Sequence, residues 1–313
     1  MRRYEEPVAL IGYGRWGRHV LRDLVALGAA VTVVARSDPS REEALDAGAA
    51  RVTARIDDLR EVRAAVVATP TTTHAEVVAA LLDLDVPVFC EKSLTDDPVT
   101  ARELAAAASD RLFVMHKWRY HPGVEALASI ARSGELGPVV GVRTTRVGWG
   151  NPHGDVDGIW MLAPHDLSIA LELLGSIPPA RFAVAERVSE TATGLWAALG
   201  DDPWLALEVS SASPVRRREV RLVCRDGVAV LLDPFADHIL VTRGRLHSSP
   251  IEREDEHRPI SLELPLLREL RAFLEHVEGG PAPRSSAAEG AAEVGALARL
   301  RELAGLPLTS VMP

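Results

Sequence analysis

Three glycines with a fixed spacing give the first chemical signal in this sequence. Gly12, Gly14 and Gly17 form the pattern Gly-x-Gly-x-x-Gly directly after an apolar run and before a stretch with helical spacing. Such a turn lets the backbone approach a pyrophosphate, which the free amides and the dipole of the following helix attract. We therefore expect a dinucleotide to bind here, beside Arg15 and Trp16 of the same turn. The alternative is a glycine turn with only a structural role.

The end of the second apolar run bears on the choice of dinucleotide. An NAD-binding domain usually places Asp or Glu there, where it bonds the ribose 2′-hydroxyl. Here the run ends in Ala35, Arg36 and Ser37, and a cation beside a hydroxyl suits a 2′-phosphate better. The sequence therefore favours NADP(H) and leaves NAD(H) open. In the alternative interpretation Arg36 is simply solvated.

Two later apolar runs also end in polar residues. Thr69 and Pro70 follow the run at 64–68, with His74 shortly after, and Glu91 and Lys92 follow the run at 86–90. Ligands of doubly wound folds bind at the carboxyl edge of the sheet, so we expect these residues to contact the cofactor. For Glu91 and Lys92, the alternative is an unremarkable charged strand end. For His74, a place in the first turn of a helix is the simpler interpretation.

A polar loop at 148–157 supplies a third group of candidates. Its side chains can bond the hydroxyls of a sugar or stack on a sugar face. The His and Asp residues of the loop match no structural zinc spacing, so we predict no metal. The alternative is a solvated loop. The candidates for substrate binding here are Trp149, Asn151 and His153, with Trp160 shortly after.

The elements that must position these residues change in type near Tyr120. Before it, apolar runs alternate with helical stretches, which predicts a parallel, doubly wound sheet over residues 1–120. After it, extended runs dominate, and two of them flank Asp226-Gly227, a signal for a two-residue hairpin. We therefore predict an α/β domain with a mostly antiparallel sheet over residues 121–313, with helices at 265–278 and 286–303.

Composition narrows the class of protein. The 313 residues carry a net charge of -9, which argues against binding to nucleic acid. Two cysteines are too few for a disulfide framework, and a reducing compartment is the simplest interpretation. No apolar run approaches the ~20 residues that span a bilayer, and no signal-peptide core precedes the first strand. We therefore expect a cytoplasmic protein that acts on a small molecule.

Together these motifs resemble those of the Gfo/Idh/MocA oxidoreductases. The shared motifs are the glycine turn, the Thr-Pro-x-x-x-His turn, Glu91-Lys92, the Arg-Tyr-x-Pro segment at 119–122 and Ser-Gly-x-Leu-Gly at 133–137. The resemblance implies an N-terminal Rossmann domain and a second domain with a large, open-faced sheet. It also implies a homodimer or homotetramer formed through that sheet.

The resemblance further implies the catalytic residues. Lys92 takes the place of the family lysine that contacts nicotinamide and substrate, and His165 matches the histidine of the family's Asp-x-x-x-His element. Met161 stands at the aspartate position and cannot take a proton, while Ser93 replaces the family proline. We place Pro164 at the first position of the helix that His165 opens. The alternative for His165 is a helix-start histidine that bonds backbone groups. We add Arg119, Tyr120 and Asp166 to the predicted substrate site.

The activity expected from these assignments is the NADP(H)-dependent interconversion of a secondary alcohol and a ketone. A sugar, a sugar nucleotide or a cyclic polyol is the expected substrate. One alternative is an imine or ketone reductase of a secondary-metabolite pathway. Another is a cofactor-binding sensor without turnover, which Met161 and Ser93 favour and which the retention of Lys92 and His165 argues against.

Overall fold

The computed structural model describes residues 4–188, 190–244 and 253–308, and the chain forms two compact units. The first unit is Met1–Lys117 with Leu264–Val294, and the second is Trp118–Glu263 with Gly295–Pro313. The first unit therefore combines the N-terminal segment with a later segment that the sequence analysis assigned to the second domain.

Helices and strands are numbered in chain order over the described residues. The strands are β1 Tyr4–Ile11, β2 Ala29–Val34, β3 Arg51–Thr53, β4 Ala64–Val67, β5 Val88–Glu91, β6 Leu112–Met115, β7 Val139–Trp149, β8 Ala180–Val188, β9 Thr191–Gly200, β10 Trp204–Ser210, β11 Ala212–Cys224, β12 Gly227–Leu231, β13 His238–Arg243 and β14 Glu254–Pro259. The helices are α1 Arg15–Ala26, α2 Asp38–Asp46, α3 His74–Leu82, α4 Pro98–Ala107, α5 Pro122–Ser133, α6 Gly158–Leu174, α7 Pro265–Val277 and α8 Ala287–Leu303. Short 3-10 turns occupy 56–58, 71–73 and 117–120.

The first unit is built on a six-stranded parallel sheet with the order β3-β2-β1-β4-β5-β6. Its central strands are buried on both faces, which explains their nearly continuous runs of valine and alanine. The strand order reverses between β1 and β4, and a ligand of such a sheet binds at the carboxyl ends of those strands. This arrangement confirms the predicted Rossmann domain.

Helix α7 belongs to this first unit, although it lies far along the chain. The ring of Phe273 stacks on Phe89 of β5 with 4.8 Å between the ring centres. Leu270 and Leu274 are buried in the same apolar core. The amide of Val114 donates to the carbonyl of Ser285, so the start of the last helical segment is also tied to the sheet. These contacts are long-range, and no local pattern in the sequence announces them.

The second unit is built on an eight-stranded sheet with the order β14-β13-β12-β11-β7-β10-β9-β8. Among the described strand pairs of this second sheet, only β7 and β10 are parallel, and the others are antiparallel. The predicted mostly antiparallel sheet is therefore confirmed. The sequence analysis missed β9, β13 and β14 of this sheet and β3 of the other. The predicted hairpin joins β11 to β12, with Cys224 paired to Gly227, so its turn lies one residue earlier than expected.

Helices α5 and α6 contact the sheet of the second unit, and α6 is buried along most of its length. The chain segments that the structure describes contain no helix long and apolar enough to cross a membrane.

Candidate active site

The glycine turn between β1 and α1 has the geometry of a phosphate-binding loop. Gly12 has φ +98°, and a Cβ there would lie 2.7 Å from the carbonyl oxygen of Ala68. A Cβ on Gly17 would lie 2.2 Å from the carbonyl oxygen of Gly12, so both positions require glycine. Gly14 differs, because a Cβ there would meet no atom within 4 Å. Gly14 is also the N-cap of α1 and offers no side-chain cap, so the open space adjoins free helix amides that suit a pyrophosphate.

The two residues inside the turn have different surroundings. Arg15 is exposed, whereas Trp16 is half-buried beneath the ammonium group of Lys117, which lies 4.1 Å from the centre of the indole ring. This distance is that of a cation–π contact. Lys117 is therefore held against the phosphate-binding turn by the aromatic ring.

Arg36 and Ser37 both lie exposed at the end of β2, as predicted. The Ser37 hydroxyl caps α2 by accepting from the amide of Ser40 at 3.4 Å. The guanidinium of Arg41 donates to the carbonyl oxygens of Ala35 and Arg36 at 2.6 and 2.8 Å. Arg41 also pairs with the carboxylate of Asp38. Arg41 is therefore a second cation at this strand end, and the sequence analysis missed it.

His74 begins α3 and joins two strand ends of the first unit. Its ring is buried, with Nδ1 2.8 Å from the carbonyl oxygen of Ser93 and Nε2 3.0 Å from that of Thr69. The Thr69 hydroxyl also accepts from Thr73 at 2.9 Å, next to Pro70. These contacts fix the turn after β4 against the turn after β5. They support the simpler interpretation of His74 as a helix-start residue, whose ring holds the turn after β4 in place through the carbonyl of Thr69.

Lys92 directly follows β5 and is half-buried, and the next residue is tied into a buried polar network. The Ser93 hydroxyl donates to Oε1 of Glu293 at 2.9 Å. The other carboxylate oxygen of Glu293 lies 3.1 Å from Nε2 of His116. All three side chains are at most 2% exposed. Ser93 therefore bonds a carboxylate where the family pattern has a proline, and the Lys92–Ser93 peptide bond is cis.

Two acidic side chains of the first unit, Glu91 and Glu269, lie close enough for their charges to interact. Glu269 of α7 is 0% exposed, and neither of its carboxylate oxygens has a hydrogen-bond partner among the described residues. Burial, and then the nearby charge of Glu91, raise the pKa of Glu269 well above its usual range. Burial also raises the pKa of Glu91, while Lys92 and Lys117 oppose that rise. In the Glu91–Lys92 motif, burial thus disfavours the charged form of Glu91, and the two neighbouring lysines favour it.

In the second unit, α6 carries both Met161 and His165. The helix begins at Gly158, so the predicted start at Pro164 was wrong, and Pro164 lies inside the helix. Asp157 explains the earlier start, because its Oδ1 accepts from the amides of Ile159 and Trp160 at 3.0 and 3.1 Å. Met161 and His165 are therefore four residues apart on one helix, which places them on the same face.

The side chain of Asp157 is fixed from the far end of the chain. Its Oδ2 accepts from Arg301 of α8 at 2.7 Å, and both side chains are buried. The acidic residue next to the polar loop is thus a helix cap with a cationic partner. No group of His, Cys, Asp and Glu that could hold a metal occurs among the residues that the structure describes.

Trp118, which the sequence analysis missed, organises the surroundings of His165. The His165 ring centre lies 6.4 Å from that of Trp118, and the His121 ring stacks on Trp118 at 5.1 Å. The guanidinium of Arg146 lies 4.1 Å from the Trp118 ring centre. Arg146 in turn donates two hydrogen bonds to Asp166, at 2.7 and 3.1 Å, inside the unit. Asp166 is 0% exposed, so the structure gives it a partner within the protein in place of the predicted substrate contact.

The remaining predicted substrate residues differ widely in exposure. Trp160 is only 2% exposed, and this burial argues against the predicted stacking on a sugar. Arg119 and Tyr120 are buried as well, and Arg119 donates to Glu172 at 3.1 Å. Trp149, by contrast, is 80% exposed.

The polar loop is ordered by its own hydrogen bonds. Asn151 donates to the carbonyl of Val156 at 2.6 Å and accepts from the amide of His153 at 2.9 Å. The His153 side chain is exposed. Of the predicted loop residues, Trp149 and His153 are therefore the ones that present their side chains to solvent.

Sequence comparison supports the assignment of the first unit. Residues 7–116 match the family model GFO_IDH_MocA, described as an oxidoreductase family with an NAD-binding Rossmann fold. A myo-inositol dehydrogenase of Streptomyces leeuwenhoekii is 34% identical over 139 residues, which make up 42% of this chain and 43% of that protein. The match thus spans less than half the length of this curated relative. The family resemblance inferred from the motifs is confirmed.

Structural comparison extends the likeness in fold to nearly the whole chain. A UDP-N-acetylglucosamine 3-dehydrogenase of Acidithiobacillus ferrooxidans superposes with a TM-score of 0.81 at 23% identity, over 95% of this chain and 97% of the other. A levoglucosan dehydrogenase in complex with NADH and levoglucosan superposes with a TM-score of 0.83 at 16% identity, over 96% and 97%. Both units therefore have the fold of known sugar dehydrogenases.

Proposed function

We propose that this chain, whose first unit belongs to the Gfo/Idh/MocA oxidoreductases, interconverts a secondary alcohol and a ketone with a nicotinamide dinucleotide. The glycine turn carries this proposal. Gly12 and Gly17 admit no side chain, while the space at Gly14 is open at the N-terminus of α1. This turn lies at the carboxyl edge of the parallel sheet, so the residues present fit the group that the family binds.

A bound nicotinamide supplies hydride exchange with the substrate carbon, which leaves the oxygen and its proton to the protein. Lys92 carries a cation that stabilises the alkoxide. His165 is half-buried and able to relay the proton. Met161 has no proton to exchange, so we assign the proton transfer to Lys92 and His165 alone.

We propose NADP(H) as the preferred cofactor. Arg36 and Ser37 are exposed at the end of β2, where an NAD-specific domain carries a carboxylate. The carboxylate of Asp38, which follows Ser37 in sequence, pairs with Arg41. A 2′-phosphate would therefore meet a cation and a hydroxyl at this strand end, which is the pattern that charge-assisted hydrogen bonding favours.

We propose a sugar, a sugar nucleotide or a cyclic polyol as substrate. The support comes from the names of the similar proteins, which are dehydrogenases of inositol, UDP-N-acetylglucosamine and levoglucosan. In this chain, the exposed ring of Trp149 and the exposed imidazole of His153 are the side chains best suited to a hydroxylated ring.

We also propose that the second unit pairs with another copy of the chain through its sheet. Phe182 and Val184 of β8 and Trp196 of β9 are 58%, 42% and 52% exposed, and Val184 pairs directly with Trp196. Such an apolar patch on a sheet face is typical of a protein–protein contact. Light scattering after gel filtration should give the mass of a dimer or tetramer, and Trp196→Glu should lower it; a monomeric wild type would refute this pairing.

The test of the function is reduction of NADP⁺ or NAD⁺, followed at 340 nm, with a panel of polyols, sugars and sugar nucleotides. We expect turnover with at least one member, and loss of turnover in Lys92→Ala. Cofactor binding without turnover of any alcohol, or of the matching ketone with NADPH, would favour the sensor alternative. Turnover of imines or of unrelated ketones alone would favour the secondary-metabolite reductase.

A further inference from the structure

A cavity of about 180 Å³ lies in the second unit, beside the helix that carries His165. Its walls come from the end of β7, the first turns of α6, the end of β10 and the start of β11. Trp149 and Met161 form part of its apolar wall, and Arg216 and Arg218 are its charged residues. No acidic residue is among the described residues that line it.

The pairing of β11 with β7 explains why two arginines face this cavity. Ala212 pairs with Trp149 and Arg217 pairs with Val147, so residues 213–216 of β11 lie opposite a single residue of β7. That single residue is Gly148, and a Cβ there would be in ordinary van der Waals contact with the Arg218 guanidinium, at 3.6 Å. The Arg218 guanidinium thus lies directly over Gly148, at the point where β11 carries its inserted residues.

Strand alternation separates Arg218 from its neighbour Arg217. Both residues pair with β7, so their side chains point to opposite faces of the sheet. Arg217 pairs there with Glu219 and does not line the cavity. The chain thus contains a matched control, one residue away from each cavity arginine.

The carboxylates near Arg218 already have other cationic partners. Asp166 accepts two hydrogen bonds from Arg146, and Asp233 lies 3.9 Å from Arg216. Burial first, and then the neighbouring cations of Arg146 and Arg216, lower the pKa of Arg218 to about 10, while Asp166 and Asp233 oppose that shift. The guanidinium groups of Arg216 and Arg218 therefore form the charged part of the cavity wall.

Met161 is uncharged, whereas an aspartate at its position would repel an anion in the cavity. The residue lines the cavity at the position where the family pattern has an aspartate. His165 follows one helical turn later on the same face, so the cavity lies next to the residue assigned to proton transfer. A substrate group that occupies the cavity would meet cations and a thioether, with no carboxylate in the wall.

We propose that this cavity binds an anionic group of the substrate, a carboxylate or a phosphate ester, through Arg216 and Arg218. A guanidinium presents paired N–H donors in the geometry that both anions accept. The substrate would then be an acidic sugar or polyol and not a neutral one. This inference rests on the proposed function, because it names the class of substrate for the same site.

Calorimetric titration tests the inference without the need for turnover. D-glucuronate, D-glucose 6-phosphate and D-glucose are titrated in turn into the protein with saturating NADPH. We expect at least one of the two anions to bind 10-fold or more tightly than glucose, and the stronger anion identifies the group as a carboxylate or a phosphate. Arg218→Gln should weaken that binding 10–100-fold, and Arg217→Gln should leave it within about 2-fold of the wild type.

A second variant guards against a folding defect, because Arg218 also donates to the carbonyl of Val147. Arg216→Gln alters a side chain that is 52% exposed and should also weaken binding of the anion. Equal affinity for glucose and the anions, no binding of any of the three, or unchanged anion affinity in both cavity variants would overturn the inference. Anion binding without any turnover of alcohols would instead refute the proposed function and leave the cavity assignment standing.

Discussion

The cofactor turn of the first unit and the cavity of the second unit are built in different ways. In the first unit, Gly12, Gly14 and Lys92 each lie just after a parallel strand, and short motifs announce all three. In the second unit, the cavity residues Trp149 and Arg218 come from the paired strands β7 and β11. Local motifs thus specify the turn that we propose for the cofactor, and long-range strand pairing specifies the cavity that we propose for the substrate.

The largest expected effect is the loss of turnover when either residue assigned to proton transfer, Lys92 or His165, is replaced. Lys92→Ala and His165→Ala should each reduce turnover by about 10²–10⁴-fold, the usual contribution of general acid–base catalysis. Cofactor affinity should change far less. Near-normal turnover in His165→Ala would place the proton transfer elsewhere in the second unit.

A smaller effect tests the first unit alone. Arg36→Ala should reduce the preference for NADPH over NADH by about 10–100-fold, which corresponds to ~1–3 kcal/mol for a charge-assisted hydrogen bond. Fluorescence titration of both cofactors measures this ratio. Arg15→Ala, which changes an exposed cation of the glycine turn, serves as the comparison and should affect both cofactors alike. Equal affinities of the wild type for the two cofactors would refute the assignment.

An effect of similar size concerns the stability of the first unit. Burial and Glu91 raise the pKa of Glu269 in the folded state above its unfolded value of about 4.3. The folded protein therefore holds a proton that the unfolded chain releases, and stability falls as the pH rises above about 4.3 toward the folded pKa. Glu269→Gln should remove this loss and gain about 1–3 kcal/mol over the wild type between pH 5 and pH 8.

Urea unfolding across this pH range measures the effect on stability. Glu275→Gln changes an exposed carboxylate of the same helix and should leave the pH dependence of the wild type unchanged. A parallel pH dependence of the Glu269→Gln variant and the wild type would show that the buried carboxyl is not the group responsible.

The comparison also explains which features the sequence could predict. The strand–turn–helix around Gly12 is local, so its type was predicted correctly, and the end of the strand and both ends of the helix were predicted within one residue. The start of α6 was predicted six residues late, because Asp157 is held as the cap by Arg301, which lies 144 residues away. The position of α7 in the first unit depends on the contact of Phe273 with Phe89, which has no local signal.

The residues of the candidate site also differ in whether a local motif or a long-range contact places them. The motif residues Lys92 and His165 were found because the family pattern marks them. Arg218 was not found, because it faces the cavity only through the four residues that β11 inserts opposite Gly148. Trp160 was assigned to the substrate on residue type alone, and the burial of its ring in the second unit was not evident from the sequence.

The most direct test of the central claim is the binding of NADPH to the wild type and to Gly14→Val. Gly14 has open space around it and negative φ, so valine should leave the fold intact while its side chain fills the place of the pyrophosphate. Calorimetry should show saturable binding of NADPH by the wild type and none by the variant, with the same circular dichroism and melting temperature for both. Unchanged binding by a folded Gly14→Val would show that the dinucleotide does not lie on this turn.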